Sequence, residues 1–544
     1  MSSNAPTVVY ESSDAGKDPE KGSRNDSSSS VGAVQLDEHI DVAAELVLGH
    51  SDDAEPSAQE SKRLRRKLDW HILPLLALIY TLQFIDKGSL AASSILGLLK
   101  DAHLSSSGFN NANSAFYIGL LALELPQNWA LQRLPVGKWL AFNIFLWSVF
   151  LGMQPLCKHF GPLFFVRFLL GASEGAITAG LMLVTSMFYT RTEIGERIGW
   201  VFSCNGVALI ISGFLSFGVA HISPKDHPDQ WEWLMIILAV ATFLTSIVFW
   251  FYFPDNPVKV TWLTQEEKIK VVKRVRGNMN GIETKRFKMY QLREALLDTK
   301  TWVFFFAGCL ANIQSGIGSQ YSLVIKAYGF TTLTTTLLNI PSGATQILGI
   351  FLGCYLLRKF PNSRAWIGIA FWIPSIIADF LSLYLPLENK GGLLAAIYLL
   401  YFGGSSSFIM LLSYVTSSVS GHTKKVTTNA IFLMGYGLGQ VLCTQFWKAQ
   451  YRPRNHIPWV ITLVSHVADI LFLLLIRQMF ATENQRRDAL QASAPTHHAD
   501  GEEKEEYGWV SVVDEAGVRS RKERVEKAFL DLTDKENLNF RYPL

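Results

Sequence analysis

Arg167-Phe-Leu-Leu-Gly171-Ala-Ser-Glu174-Gly175 places two formal charges in the middle of an apolar run that extends from Gly161 to Tyr189. A run of that length spans the hydrocarbon of a bilayer as a helix. Ionisable side chains at that depth are costly unless they face one another, a partner helix or a water-filled path, so they mark function. Arg167 and Glu174 lie seven positions apart. Two helical turns set them on one face, about 10 Å apart along the axis.

The rest of the chain has the same character. Of its 544 residues 49% are hydrophobic, 12% aromatic and only 17% charged, against about a quarter charged in soluble domains. Residues 1–67 are Ser-, Asp- and Glu-rich and read as a disordered cytosolic tail; 483–544 read as a second cytosolic tail, also mostly disordered. No apolar stretch with a small-residue cleavage site lies near Met1, so the first span is expected to serve as the insertion signal. Apolar stretches of about twenty residues number twelve, centred near Leu78, Leu123, Trp147, Gly175, Leu209, Val240, Ala311, Gly349, Ile376, Leu400, Gly437 and Leu471. The fold class is an all-α polytopic membrane protein.

Basic residues give the orientation. Lys62, Arg63, Arg65, Arg66 and Lys67 precede the first span, and the positive-inside rule holds them in the cytosol. An even number of spans returns the C-terminus to that side. Alternate loops agree: Arg133 with Lys138, Arg191 with Arg197, the set from Lys259 to Lys300, Arg358 with Lys359 and Arg364, and Lys424 with Lys425 fall on the cytosolic side. The opposite loops carry single cations except the last, with Lys448, Arg452 and Arg454.

An internal repeat divides the chain. Leu131-Gln-Arg133-Leu-Pro135-Val-Gly137-Lys138 follows the second span and Leu357-Arg-Lys359-Phe-Pro361-Asn-Ser363-Arg364 the eighth, at an offset of 226 residues (357 minus 131). Recurrence of one basic turn in each half signals two parallel six-helix bundles, 68–253 and 301–482. The connector, 254–300, is rich in Lys, Arg and Glu; Thr264 followed by Glu267 predicts a capped helix lying solvated on the membrane surface, with a regulatory docking site as the alternative.

These residues resemble those of the major facilitator superfamily, and within it the fungal allantoate/nicotinate permease branch of the anion:cation symporter family. The matching stretches are Phe84-Ile-Asp86-Lys87, Gly97-Leu-Leu-Lys-Asp101-Ala-His103-Leu, Glu124-Leu-Pro126 with the basic turn to Lys138, and Arg167-Phe-Leu-Leu-Gly171 with Glu174. Tyr189-Thr-Arg191-Thr-Glu193, Gly421-His-Thr-Lys-Lys425-Val-Thr-Thr-Asn429-Ala and Asp534-Lys-Glu-Asn-Leu-Asn-Phe540-Arg-Tyr542 complete the set. The resemblance implies twelve helices in the major facilitator fold, with secondary active transport of a small organic anion, a carboxylate nutrient or vitamin-like compound, by proton symport and alternating access. It also implies a cell-membrane location. Efflux of a secondary metabolite and nutrient sensing as a transceptor are the alternatives. The chain departs from the family pattern at Ala179, Phe188 and Gln440, where Pro, Trp and Asn are common. Without that Pro the fourth helix is expected to be straighter.

The resemblance places the proton-coupling acid at Glu174, with Asp86 beside it. Burial and nearby cations are what tune such a carboxylate; the alternative is a permanent ion pair, Arg167 to Glu174 or between helices, that only holds the bundle together. Lys87 and Arg167 are substrate-binding candidates for a carboxylate, although Lys87 equally suits snorkelling to the interface. Asn312, Gln314 and Tyr321 in the seventh span join them, because amides in hydrocarbon must point inward, and Ser405, Ser406 and Ser407 are the tenth helix's contribution. Glu124, Arg133, Lys138, Arg191, Glu193, Lys359, Arg364 and His422 are gating or structural candidates. Asp379 is expected to be structural, and His466 with Asp469, three apart on one helix, to pack. No Gly-Lys-Ser/Thr phosphate loop is present and the five cysteines lack metal or redox spacing, so no enzyme activity, cofactor or metal is expected. Protons, the anion and membrane lipid are the expected partners, nucleic acid is excluded by the lack of a basic aromatic stripe, and the chain is expected to act as a monomer. Asn25-Asp-Ser27 matches a glycosylation sequon but falls on the cytosolic tail.

Overall fold

A computed structural model describes residues 57–493, apart from 224–227, 258–259, 277–287 and 361, together with 507–513, 519–526, 533–537 and 540–544. The tail expected over 1–56, with its sequon, lies outside the described residues. Twelve helical spans follow in order: α1 (Ala58–Leu96), α2 (Ser106–Arg133), α3 (Val136–Met153), α4 (Phe160–Phe188), α5 (Arg191–Val219) and α6 (Gln230–Tyr252). Then come α7 in two segments (Thr299–Ala311 and Gly316–Ala327), α8 (Asn339–Lys359), α9 (Arg364–Tyr384), α10 (Lys390–Ser417), α11 (His422–Gln445) and α12 (His456–Ser493). Ten of these are long and apolar enough to cross a membrane. The other two are α2, diluted by Asn110, Asn111 and Asn113, and α7, which a 3-10 turn over Ile313–Ser315 interrupts. The chain enters α1 and leaves α12 at one end of the bundle, here the terminal end; the opposite end is distal.

The two halves repeat each other contact for contact. Within the first, α1 packs on α5, α2 on α4, α3 on α6 and α3 on α4; within the second, α7 packs on α11, α8 on α10, α9 on α12 and α9 on α10. Between them α2 meets α11 and α5 meets α8. A buried core that includes Leu68, Ile72, Ile144, Trp147, Leu170 and Ile177 fills the first half, and separate clusters around Phe304 with Tyr414 and around Ile325 with Leu400 fill the second. Large apolar side chains such as Phe142, Phe145, Trp250 and Phe251 remain exposed on the outside, as a lipid-facing surface requires.

The repeated basic turns occupy equivalent corners. The Lys138 amide, in the first turn of α3, donates to Asp255 Oδ1 (3.2 Å), from the segment that follows α6. The Arg364 amide, at the start of α9, donates to Leu544 O (2.9 Å), from the segment that follows α12. Each oxygen satisfies a helix donor that has no partner within its helix. Gly137 is required at its corner, because a Cβ there would stand 2.8 Å from the Phe253 carbonyl.

Two expectations for the polar segments change. The connector helix Gln265–Arg276 does carry the Thr264–Glu267 capping box, but it is docked, not solvated on lipid. Glu267 pairs with Lys67 (2.6 Å), Lys270 with Glu60 (2.7 Å) and Arg274 with Glu193, while Val271 is fully buried. The segment after 482 is ordered in its described parts. α12 continues to Ser493, Tyr507–Val513 (β1) pairs antiparallel with Arg519–Glu526 (β2), and residues 533–537 and 540–544 dock at the terminal end of the second half. There Asp534 pairs with Lys300 (2.9 Å) and Lys424 (2.6 Å), Arg487 donates to the Asp534 and Phe540 carbonyls (both 2.8 Å), and the Tyr542 ring stacks on Phe480 (4.7 Å). Burial opposes ionisation of Asp534, but the two lysines outweigh it and hold its carboxyl at about 2. A polar, apolar-poor sequence gives no local sign of such docking, since the partners lie on other helices.

Candidate functional site

Glycines bring the central charges together. A Cβ on Gly171 of α4 would collide with the Phe116 carbonyl of α2, and one on Gly119 of α2 would collide with the Phe168 carbonyl of α4. Backbones therefore approach closely, as small residues permit between membrane helices. This contact seats the Phe116 ring beneath two cations, Arg167 at 5.6 Å and Lys87 at 6.0 Å from its centroid, within the range of cation–π attraction.

The two acids at this level differ. Asp86, 1% exposed, accepts from the Trp147 indole (2.8 Å to Oδ2) and from Ser89 Oγ (3.2 Å to Oδ1). Glu174, also 1% exposed, has both carboxyl oxygens without a hydrogen-bond partner, with Lys87, Asp86 and Gln83 as neighbours. Arg167, 1% exposed, likewise has Nε and Nη1 without partners, and no ion pair joins it to Glu174 among the described residues. That arrangement does not match a permanent Arg167 to Glu174 bridge. One turn toward the terminal end, Thr178, Leu181, Met182 and Thr185 of α4 line a crevice with Leu76 and Tyr80 of α1 and Val201 and Phe202 of α5. α4 runs unbroken through this region.

Asn312, Gln314 and Tyr321 are not gathered beside these charges. Asn312 donates to Gly308 O (2.8 Å) and accepts from Gln440 (3.3 Å). Gln314 faces His466, and Tyr321 donates to the Leu338 carbonyl (2.6 Å). Ser405 accepts from Gln346 (2.8 Å), Ser406 bonds within its own helix and Ser407 donates to Gly368 O (3.1 Å). His466 does not pair with Asp469 on its own helix. Its Nδ1 lies 2.7 Å from Asp379 Oδ2 on α9, so the packing expected along α12 is replaced by a contact between helices.

Apart from Glu124, which lies within α2 near the level of Gly175, the gating and structural candidates are dispersed along the terminal end. Glu124 is half-buried two positions before Pro126. Arg133 lies over the Trp129 ring (4.7 Å), Lys138 over Trp250 (4.9 Å) and Lys359 over Phe360 (5.6 Å). Glu193 completes the Thr190 capping box and pairs with Arg65 (3.8 Å) and Arg274. Arg364 anchors the chain end through its amide. Arg191 and His422 open α5 and α11.

A clasp at the distal end was not anticipated. Asn110 donates to Trp447 O (2.8 Å) and accepts from Gln320 (2.7 Å), Asn113 donates to Ser319 Oγ (2.8 Å), and Ser114 meets Thr444 and Gln445 (both 2.8 Å). These bonds tie α2 to α7 and α11 across the two halves. The signal was the polar cluster Asn110-Asn-Ala-Asn113-Ser within a span. Trp147, Ser89 and Phe116 carried no comparable signal.

Comparison with known proteins agrees with this architecture. Residues 76–444 match the profile of the Major Facilitator Superfamily. An uncharacterized transporter of Schizosaccharomyces pombe is 32% identical over 492 residues, covering 89% of this chain and 84% of the relative. The allantoate permease of Saccharomyces cerevisiae is 30% identical, covering 94% and 91%, and the thiamine pathway transporter of the same organism is 30% identical, covering 92% and 89%. Among solved structures, a D-xylose-proton symporter superposes with a TM-score of 0.56 over 74% of this chain and 97% of that chain, at 13% identity. The last is a likeness of fold alone.

Proposed function

We propose, from the premise that this chain belongs to the Major Facilitator Superfamily, that it carries a small organic anion together with protons. It is a multi-pass membrane transporter, and the relatives it matches are transporters, not enzymes. The observation that carries the finer reading is the unspent hydrogen-bonding capacity at the first half's centre. Arg167 keeps two donor nitrogens free, and Glu174 keeps both oxygens free, while Lys87 shares the Phe116 ring with Arg167. A substrate carboxylate complements the two cations, and the guanidinium fork suits it geometrically. Glu174 is the coupling acid: protonated, it removes a buried negative charge, and ionised, it competes with the substrate for the same cations.

Asp86 is the second acid of this site, held by Trp147 and Ser89. On this reading the terminal end faces the cytosol and the protein sits in the cell membrane; the basic cluster Lys62 to Lys67 supports that orientation by the positive-inside rule. The distal clasp then lies on the outer side of the charged centre, and the crevice lined by Tyr80, Thr178 and Thr185 on its inner side. The relative named for allantoate, a carboxylate, makes a carboxylate nutrient the first class to examine. Radiolabelled allantoate and a panel of nutrient carboxylates, offered at two external pH values, test the reading. Accumulation that rises with external acid and is lost in Glu174→Gln supports symport; equal accumulation in that variant sinks the coupling role.

A further inference from the structure

The second half contains a cluster of titratable groups that the mechanism above does not use. His466 and Asp379 are both 0% exposed, and Asp469, one turn along α12, is 2% exposed with both carboxyl oxygens unpartnered. His466 Nδ1 lies 2.7 Å from Asp379 Oδ2, and its Nε2 lies 3.2 Å from Gln314 Oε1. Trp372 covers the imidazole, ring centres 4.6 Å apart. The titratable groups around His466 are Asp379 from α9, Asp469 from α12 and, beside Asp469, Cys309 from α7. No Lys or Arg forms an ion pair with any of them among the described residues.

Proton counting decides what this geometry holds. With the Gln314 amide oxygen toward Nε2, both imidazole nitrogens face oxygen acceptors and two hydrogens are needed between His466 and Asp379. A neutral imidazole beside an ionised carboxylate supplies one. An imidazolium beside a carboxylate, or a neutral imidazole beside a carboxylic acid, supplies two, and either leaves the pair without net charge. Removing that proton leaves a buried negative charge with no cation to balance it, a costly state in a membrane interior. Gln314 is placed to accommodate the change. It stands at the 3-10 break of α7, half-buried, and fills the space above Gly404 of α10, where any Cβ would collide with it. Its amide presents oxygen to a protonated ring nitrogen and, turned over, presents N–H to a bare one.

We propose that Asp379 and His466, closed by Gln314, form a second proton-binding site, occupied and vacated as the Gln314 amide turns at the break of α7. The site binds one proton, shared by the imidazole and the carboxylate, and it is independent of Glu174. Gln314 is a positioning residue; through it, proton occupancy bears on the second segment of α7, which carries Ser319 and Gln320 of the distal clasp.

The test is a pH titration of the purified full-length chain in lipid nanodiscs, followed by infrared difference spectroscopy of carboxylic acid and imidazole bands, with protons the only ligand. A titrating signal is expected that persists in Glu174→Gln and disappears in both His466→Gln and Asp379→Asn. A hydrogen bond to an imidazolium is stronger than one to a neutral ring. Gln314→Leu should therefore move the midpoint about one pH unit lower, a roughly tenfold loss of proton affinity. A signal that survives His466→Gln and Asp379→Asn overturns the proposal. So does an unmoved midpoint in Gln314→Leu, a half-buried position, even where the two buried variants fail to fold.

Discussion

The first half of the molecule gathers two acids and two bases at its centre, Asp86 and Glu174 with Lys87 and Arg167. The second half gathers two acids and one imidazole, Asp379 and Asp469 with His466. The difference matters because lysine and arginine bring permanent charge, whereas an imidazole carries charge only when protonated. The first centre balances its charge from its own side chains and keeps hydrogen-bonding capacity for a partner. The second reaches balance only by holding protons. Related six-helix bundles, packed contact for contact, have thus been given different electrostatic tasks.

Removing a permanent base should do most harm. Arg167→Met leaves the Asp86 and Glu174 side undercompensated, and loss of one partner of a buried charge set costs about 3–5 kcal/mol. Thermal melting of the purified chain should fall accordingly, and the double variant with Glu174→Gln should regain most of the loss while remaining inactive. Equal melting of the single and double variants would mean that charge balance does not hold this centre together. Next, Trp147→Phe removes the indole donor to Asp86. A hydrogen bond to a charged group contributes about 1.5–3 kcal/mol, so melting should fall by that order while the infrared titration of His466 keeps its midpoint.

Acid should then separate the two repeated corners. The Asp534 carboxyl sits at about 2 against an ordinary 3.8. A depressed acid stabilises the folded state fully above its unfolded value and loses that contribution as pH falls toward its folded value. The docked residues 533–537 and 540–544 should therefore loosen as pH falls from about 4 to about 2, read as cleavage there by an acid-active protease, and Asp534→Asn should remove that window. The smallest effect belongs to the first half's corner. Asp255→Ala withdraws the oxygen that accepts from the Lys138 amide, which should cost about 1 kcal/mol in melting, as a lost helix cap does, and leave the second half's pH response unchanged.

Most of the fold could be read before any coordinates, because span length and the basic turn at Arg133 to Lys138 are local signals. α2 and α7 depart from the other spans for reasons that appear only in three dimensions: Asn110 and Asn113 of α2 cross to the other half, and α7 breaks at Asn312 to Ser315. The site was legible in part. Arg167, Glu174, Lys87 and Asp86 stand out because charge in an apolar run is conspicuous, whereas Trp147 and Phe116 are ordinary apolar-span residues whose roles depend on how α3 and α2 meet α1 and α4.

His466 shows the limit most clearly. Three positions from Asp469 on one helix, it suggested a pair along α12, and its actual partner Asp379 lies 87 residues away. The sequence alone determined the spans, the two halves and the presence of charge in the fourth helix, since hydrophobic length and helical spacing act between near neighbours. Tertiary structure decided which charges face each other, which carboxyl is occupied and which is free, and how far the C-terminal segment docks. Those outcomes depend on the rotation and height of each helix against its neighbours, set by close contacts such as Gly171 on Phe116 and Gln314 above Gly404.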